Sequence, residues 1–232
     1  MNIKILSPSD IARTYSQKVK KDSEYFKKYE IIDGFKDGKI DQFLEGHDYP
    51  RVPCILDFKE WVGKYGIAPQ KLLATCADDF ELNYLKPESV DFIPYNGTDF
   101  DLHTLSLAKN DYNFMLFSQT LEHLHNPLVS IGNIYNHIAL GGYVFTSVPT
   151  INIPHMTPCH FWGMYPMGLA MLFEAAGFSV LEVGQWGNFD YIQYIFQNHS
   201  WPDYWTLRNL GNGKILNEEK NVAQCWCLVQ KT

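Results

Sequence analysis

"YNFMLFSQTLEHLHNPLVSIGNIYNHIALGGYVFTSVP", Tyr112 to Pro149, contains the change of period that decides the fold. Tyr112 to Gln119 is a short, nearly continuous apolar run of the kind that makes a buried strand. From Pro127 the apolar residues recur at helical spacing in "PLVSIGNIYNHIAL", and Gly141-Gly142 is the expected helix stop. "GYVFTSVPT" then returns to an apolar run. Strand, helix and strand in this order form a crossover unit, which pairs its two strands in parallel.

Working outward, the same alternation continues in both directions. "KLLATC" reads as a strand ending at Cys76, "DDFELNYL" as a helix and "VDFIPY" as a second strand. Downstream, "MGLAMLFEAAGF" is a helix stopped by Gly177, "SVLEVGQWG" a strand and "AQCWCLVQK" a closing strand. "LDFKEWVGKYG" is a short helix before the first strand. Six strands separated by helices predict an α/β fold: a doubly wound, mostly parallel sheet with helices on both faces. In front, Ser9 to Glu30 reads as one helix with Ser7 or Ser9 as cap. Gly34, Gly38, Gly46, Pro50 and Pro53 then break the chain. The expected division is an N-terminal helical extension or lid over residues 1–55 and a main domain over 56–232.

The chain has 232 residues and a formal net charge of -7, and acids interrupt its clearest basic cluster, "KVKKDSEYFKK". That balance argues against a nucleic-acid partner. Five cysteines without a CxxC pair favour free thiols over a disulfide framework. No window approaches a membrane span and no signal-peptide core opens the chain. A cytoplasmic protein is the expectation, and a homodimer is left open.

Ligands of such sheets bind beyond the carboxyl ends of the strands. "SQTLEHLHNP" occupies one of these ends, and His123, His125, His155 and His160 all fall in loops after strands. Histidine is the side chain best suited to move a proton near neutral pH. The Glu122-His123 pair can be read as a metal site, as an acid and base, or as a pocket rim. Without a second carboxylate in the turn, where Gln119 stands instead, a metal is the lesser reading. Spacing alone does not exclude a zinc site drawn from the four histidines.

The middle of the chain resembles the Rossmann-like (class I) S-adenosylmethionine-dependent methyltransferases, in particular their small-molecule group. The resemblance is carried by "DLHTL", by Tyr112 to Pro149, and by "HMTPCHFWGMYPMGLAMLFEAAGFSVLEV". It covers about Lys71 to Val183, roughly half the chain, and the order and spacing of the pieces carry it more than any one piece. It implies a seven-stranded sheet and S-adenosylmethionine as cofactor. By the same resemblance Asp101 accepts the adenine amino group with Leu102 beside the ring, and Ser118 and Gln119 lie against the cofactor.

The chain departs from the family at the first loop, which is normally glycine-rich so that the backbone can approach the cofactor. There is no glycine from Lys71 to Leu85. Cys76, Ala77 and Asp78 take that place, with Asp78 read either as a partner of the cofactor ammonium or as a helix cap. The acid expected after the second strand for the ribose is also missing, and Asn96 is among the few polar residues nearby.

A histidine commonly follows the Val-Pro strand in this family, so the resemblance makes His155 the first choice of base at the acceptor. His123 and His160 are the further catalytic candidates, with His160 standing where relatives carry Asp. The ring-rich segments around Phe161 and Trp201 suit a planar or sugar acceptor. The last strand is similar to that of methyltransferases associated with surface glycans. The expected function is O-methylation of a small polar acceptor such as a sugar or glycan hydroxyl. The alternatives are a non-catalytic, methyltransferase-like binding or regulatory protein, and a metal-dependent hydrolase using the histidines.

Overall fold

Alternation along the strands sorts the core into two layers. In the computed structural model, residues 3–30, 49–76, 79–94 and 102–232 are described, the side chains of Cys76 and Asp79 excepted. Strands β1 (Lys71–Cys76), β2 (Ser89–Phe92), β3 (Tyr112–Ser118), β4 (Ile138–Pro149), β5 (Ser179–Trp186) and β6 (Gln224–Gln230) form one sheet in the order β2-β1-β3-β4-β6-β5. Leu72, Phe114, Leu116, Trp226 and Leu228 point to one face, and Leu73, Met115, Phe117, Cys225 and Val229 to the other. This is the two-residue period of a strand buried on both sides.

The first face is covered by α3 (Arg51–Lys64) together with α7 (Phe189–Asn198) and α8 (Tyr204–Leu210). Helices α5 (Pro127–His137) and α6 (Pro166–Ala175) cover the second, and α4 (Asp79–Leu85) links β1 to β2. Pairings β1–β2, β1–β3 and β3–β4 are parallel, whereas β6 runs antiparallel to both β4 and β5. The doubly wound, mostly parallel sheet expected from the sequence is therefore present.

Four expectations change. Among the described residues the sheet has six strands, as the periodicity predicts, where the resemblance implies seven. The single helix expected over Ser9 to Glu30 is two, α1 (Pro8–Gln17) and α2 (Ser23–Lys27). Between them Val19 makes a parallel bridge with Val183 on β5, and Asp22 caps α2 by accepting from the Tyr25 amide.

Gly141-Gly142 ends no helix. Ile138 already pairs with Tyr112 as a strand residue, and the glycines sit in a bulge where Gly141 takes φ +80°. Finally, α3 begins at Arg51 and runs through the 55/56 division drawn from sequence. Ser7 caps α1 in a reciprocal capping box with Asp10, as expected, and Thr14 on α1 donates to Glu174 on α6 at 2.5 Å. No described helix is long and apolar enough to cross a membrane.

Candidate functional site

The strand ends β1, β3 and β4 meet at a turn that the backbone itself builds. After Ser118 the chain leaves the sheet through Gln119, whose φ is +50°. Its amide donates to the Ser147 carbonyl on β4 at 2.8 Å, and its side-chain Nε2 donates to Ser147 Oγ at 3.0 Å. The hydroxyls of Thr120 and Thr75 are 2.9 Å apart, which ties the turn to β1. A 3-10 turn over Leu121–His123 follows, and Asn126 with Pro127 then starts α5.

Glu122 sits in this turn with no solvent exposure, and neither carboxylate oxygen has a hydrogen-bond partner among the described residues. Burial pushes its carboxyl up to about 8. His123 Nε2 lies 3.8 Å from Glu122 Oε1. The Glu122 carbonyl accepts from the Phe161 amide at 2.7 Å, which brings the loop after β4 over the turn.

That loop carries the other two histidines. Ring centroids of His155 and His160 stand 4.5 Å apart, with His123 at 4.9 Å from His155 and 5.7 Å from His160. His123 is buried, and its Nδ1 is 2.5 Å from the Cys159 carbonyl. His155 Nδ1 is 3.1 Å from the Ile153 carbonyl. Burial lowers the pKa of His123 and His160, and the neighbouring rings lower that of His160 further. Both are neutral imidazoles near neutral pH. The three expected catalytic candidates thus converge, whereas His125 stacks on His103 with centroids 3.9 Å apart.

A pocket of about 190 Å³ opens beside this cluster, between the ends of β3, β4 and β6. Gln119, Asn152, His155, Tyr191, Trp201 and Gln224 border it. Trp201 donates its indole N–H to Asn152 Oδ1 at 2.8 Å and meets the His155 ring edge-on at 5.8 Å. Gln224 Nε2 is buried without a partner. His155 is the one residue shared by the pocket and the histidine cluster.

On the expected cofactor side, Ser118 is buried, and its hydroxyl has no partner among the described residues. Leu102 is fully buried in the second core layer, and its carbonyl accepts from Asn133. Cys76 ends β1 beyond a register shift between β1 and β3. Ala77, Asp78, Asn96 and Asp101 lie outside the described residues.

Sequence reading missed Asn152, Tyr191 and Gln224 as pocket residues. Asn152 stands three residues before His155 in the same loop, a signal that was present. Gln224 opens a closing strand whose antiparallel insertion between β4 and β5 has no local signature. Sequence reading also missed the Asp57 cluster. This carboxylate accepts from Tyr25 at 2.9 Å, Trp226 Nε1 at 2.9 Å, Lys28 at 3.2 Å and Tyr29.

No family model and no curated protein sequence matches the chain. Solved structures do. A sarcosine dimethylglycine methyltransferase candidate from Galdieria sulphuraria superposes with a TM-score of 0.50 at 12% identity, over 86% of this chain and 92% of that one. The 1,6-didemethyltoxoflavin-N1-methyltransferase of Burkholderia thailandensis, solved with S-adenosylhomocysteine, superposes with a TM-score of 0.49 at 14% identity, over 100% of this chain and 93% of that one. At such identities the likeness is one of fold.

Proposed function

We propose, from the Rossmann-like methyltransferase fold of this chain, that it is an S-adenosylmethionine-dependent methyltransferase acting on a small polar acceptor, with a hydroxyl as the methylated group. The observation that carries this reading is His155, which belongs both to the pocket at the strand ends and to a cluster of imidazoles. An O-methyltransferase must hold the acceptor in line with the methyl group and let the hydroxyl lose its proton. Gln119, Asn152 and Gln224 supply amide donors and acceptors for such an acceptor, and Trp201 supplies a flat apolar wall. That mixture favours a sugar or related polyol as the first class to screen.

The residues at the end of β3 are compatible with the cofactor. Ser118 offers a buried hydroxyl with no protein partner where the strand opens, and Gln119 turns the backbone sharply beside it. S-Adenosylmethionine, when bound, supplies the electrophilic methyl group. The acceptor proton leaves at the histidine face, where His155 is the imidazole that reaches the pocket.

Calorimetric titration with S-adenosylmethionine and S-adenosylhomocysteine tests the reading. Micromolar binding of both is expected, followed by methylation of an acceptor in a screen that begins with sugars. Absence of binding would reject it in favour of a non-catalytic, methyltransferase-like binding protein. The absence of glycine from Lys71 to Leu85 is the specific feature that favours that second reading.

A further inference from the structure

A divalent metal is the lesser reading of the sequence because the Glu122 turn has no second carboxylate. Tertiary structure supplies imidazoles instead. One ring nitrogen from each of His123, His155 and His160 lies within 4.8 Å of the others. Nitrogens bound to one zinc ion at about 2.0 Å stand about 3.3 Å apart in a tetrahedron, so loading would draw the widest pair together by up to about 1.5 Å. Two of the three rings, those of His155 and His160, are on the loop after β4.

Hydrogen bonding also leaves two of the rings a ligand atom. A carbonyl can only accept, so the contacts of Cys159 with His123 and of Ile153 with His155 require Nδ1 to carry a proton in each ring. Each ring, when neutral, therefore keeps its lone pair on Nε2. A backbone carbonyl behind the non-ligating nitrogen is the usual outer-shell support of a metal-bound histidine.

Two orphaned polar groups point the same way. The Glu122 carboxylate is fully buried beside His123, and among the described residues neither it nor the buried His160 Nδ1 has a hydrogen-bond partner. Buried polar atoms in native proteins are normally satisfied. A cation among the rings would give the carboxylate a compensating charge and His160 a use for its free nitrogen.

We propose that His123, His155 and His160 bind one divalent transition-metal ion of the zinc class, with Glu122 as the adjacent balancing carboxylate. Three protein nitrogens leave a fourth position for water or a substrate oxygen, the ligand count of catalytic zinc sites. The site stands without the methyl-transfer reading. Where both hold, the ion polarises the acceptor hydroxyl and lowers its pKa, and His155 serves as a ligand.

The test is titration of the chelator-stripped full chain with Co²⁺, followed by displacement with Zn²⁺. One ion per chain is expected, with the visible absorption of a nitrogen-rich four- or five-coordinate cobalt site that zinc bleaches. Affinity falls at least tenfold in His155→Ala and in His160→Gln and is unchanged in His125→Ala. Lack of a stoichiometric site in the folded wild-type chain would overturn the proposal. So would equal affinity across the variants, with melting temperature reporting that each is folded. His155→Ala alters a partly buried loop residue and carries the test if His160→Gln fails to fold. Titration of the same stripped protein with S-adenosylmethionine reads the methyl-transfer proposal separately.

Discussion

Asp57 and Glu122 are both buried carboxylates, one on the inner side of α3 and one at the strand ends, with opposite surroundings. Asp57 accepts from Tyr25, Tyr29, Trp226 and Lys28, and Tyr25 in turn accepts from the Gln185 amide at 2.9 Å. Gly184 on β5 leaves the space for this network, since a Cβ there would come within 2.3 Å of Trp226 Nε1 and 2.6 Å of Asp57 Oδ2. Glu122 has no hydrogen-bond partner among the described residues. A fully satisfied polar cluster fixes the packing of the elements that contribute to it. An unsatisfied one is retained for something other than stability. The first region holds the N-terminal helices against the sheet, and the second has the character of a site.

Mutation can break or sharpen this contrast. The largest effect is expected at the site and on turnover. Once an acceptor is known, His155→Ala should lower kcat by about two to four orders of magnitude, with little change in melting temperature or in cofactor affinity. A rate equal to wild type would remove the histidine face from the reaction.

Asp57→Ala should act on stability instead. Two phenols, an indole N–H and an ammonium lose their shared acceptor, at a cost of about 3 to 5 kcal/mol in denaturant unfolding. A smaller loss follows for Gly184→Ala, about 1 to 3 kcal/mol from overpacking against Trp226 and Asp57. If either variant unfolded like wild type, the cluster would not be the fastener described.

Glu122→Gln should leave stability within about 1 kcal/mol of wild type, because an amide replaces a carboxyl that makes no hydrogen bond. A cost as large as that of Asp57→Ala would erase the distinction between the two regions.

The smallest effect concerns pH. Burial pushes the Glu182 carboxyl up, and hydrogen bonds from Lys20, Lys64 and Tyr65 outweigh burial, so it sits below the ordinary value of 4.5. A carboxyl with a depressed native pKa stabilises the fold above its unfolded value and loses that contribution as pH falls through its native value. Wild type should therefore exceed Glu182→Gln in stability above pH 4.5. The gap should close on acidification, as melts across acidic pH would record. A gap independent of pH would assign the effect to packing.

The elements themselves were legible in the sequence because their signals are local. Apolar runs bounded by turn residues mark β1, β3, β5 and β6, and Asn126 with Pro127 marks the start of α5. Where a distant contact competed with local pattern, the reading failed. Val19 leaves a helical pattern to bridge β5, and Ile138 leaves one to pair with Tyr112. Helices α7 and α8 were read only as a ring-rich segment, although Asn188 and Asp203 cap them in the ordinary way.

The candidate site divides along the same line. His123, His155 and His160 were recognisable one at a time, as proton-carrying side chains in loops after strands. Their meeting within 4.8 Å was not, because it depends on the loop after β4 folding back so that Phe161 donates to the Glu122 carbonyl. From the sequence alone came the order of the six strands and of the helices between β1 and β5, which follow from periodicity and crossover geometry, together with the expectation of a ligand at the carboxyl ends of the strands. Only the tertiary structure decided that three imidazoles share one space, that Glu122 is orphaned, and that Asp57 binds Trp226, 169 residues away. Those contacts join residues whose separation along the chain carries no pattern, and they form only when the sheet has brought its strand ends and helices together.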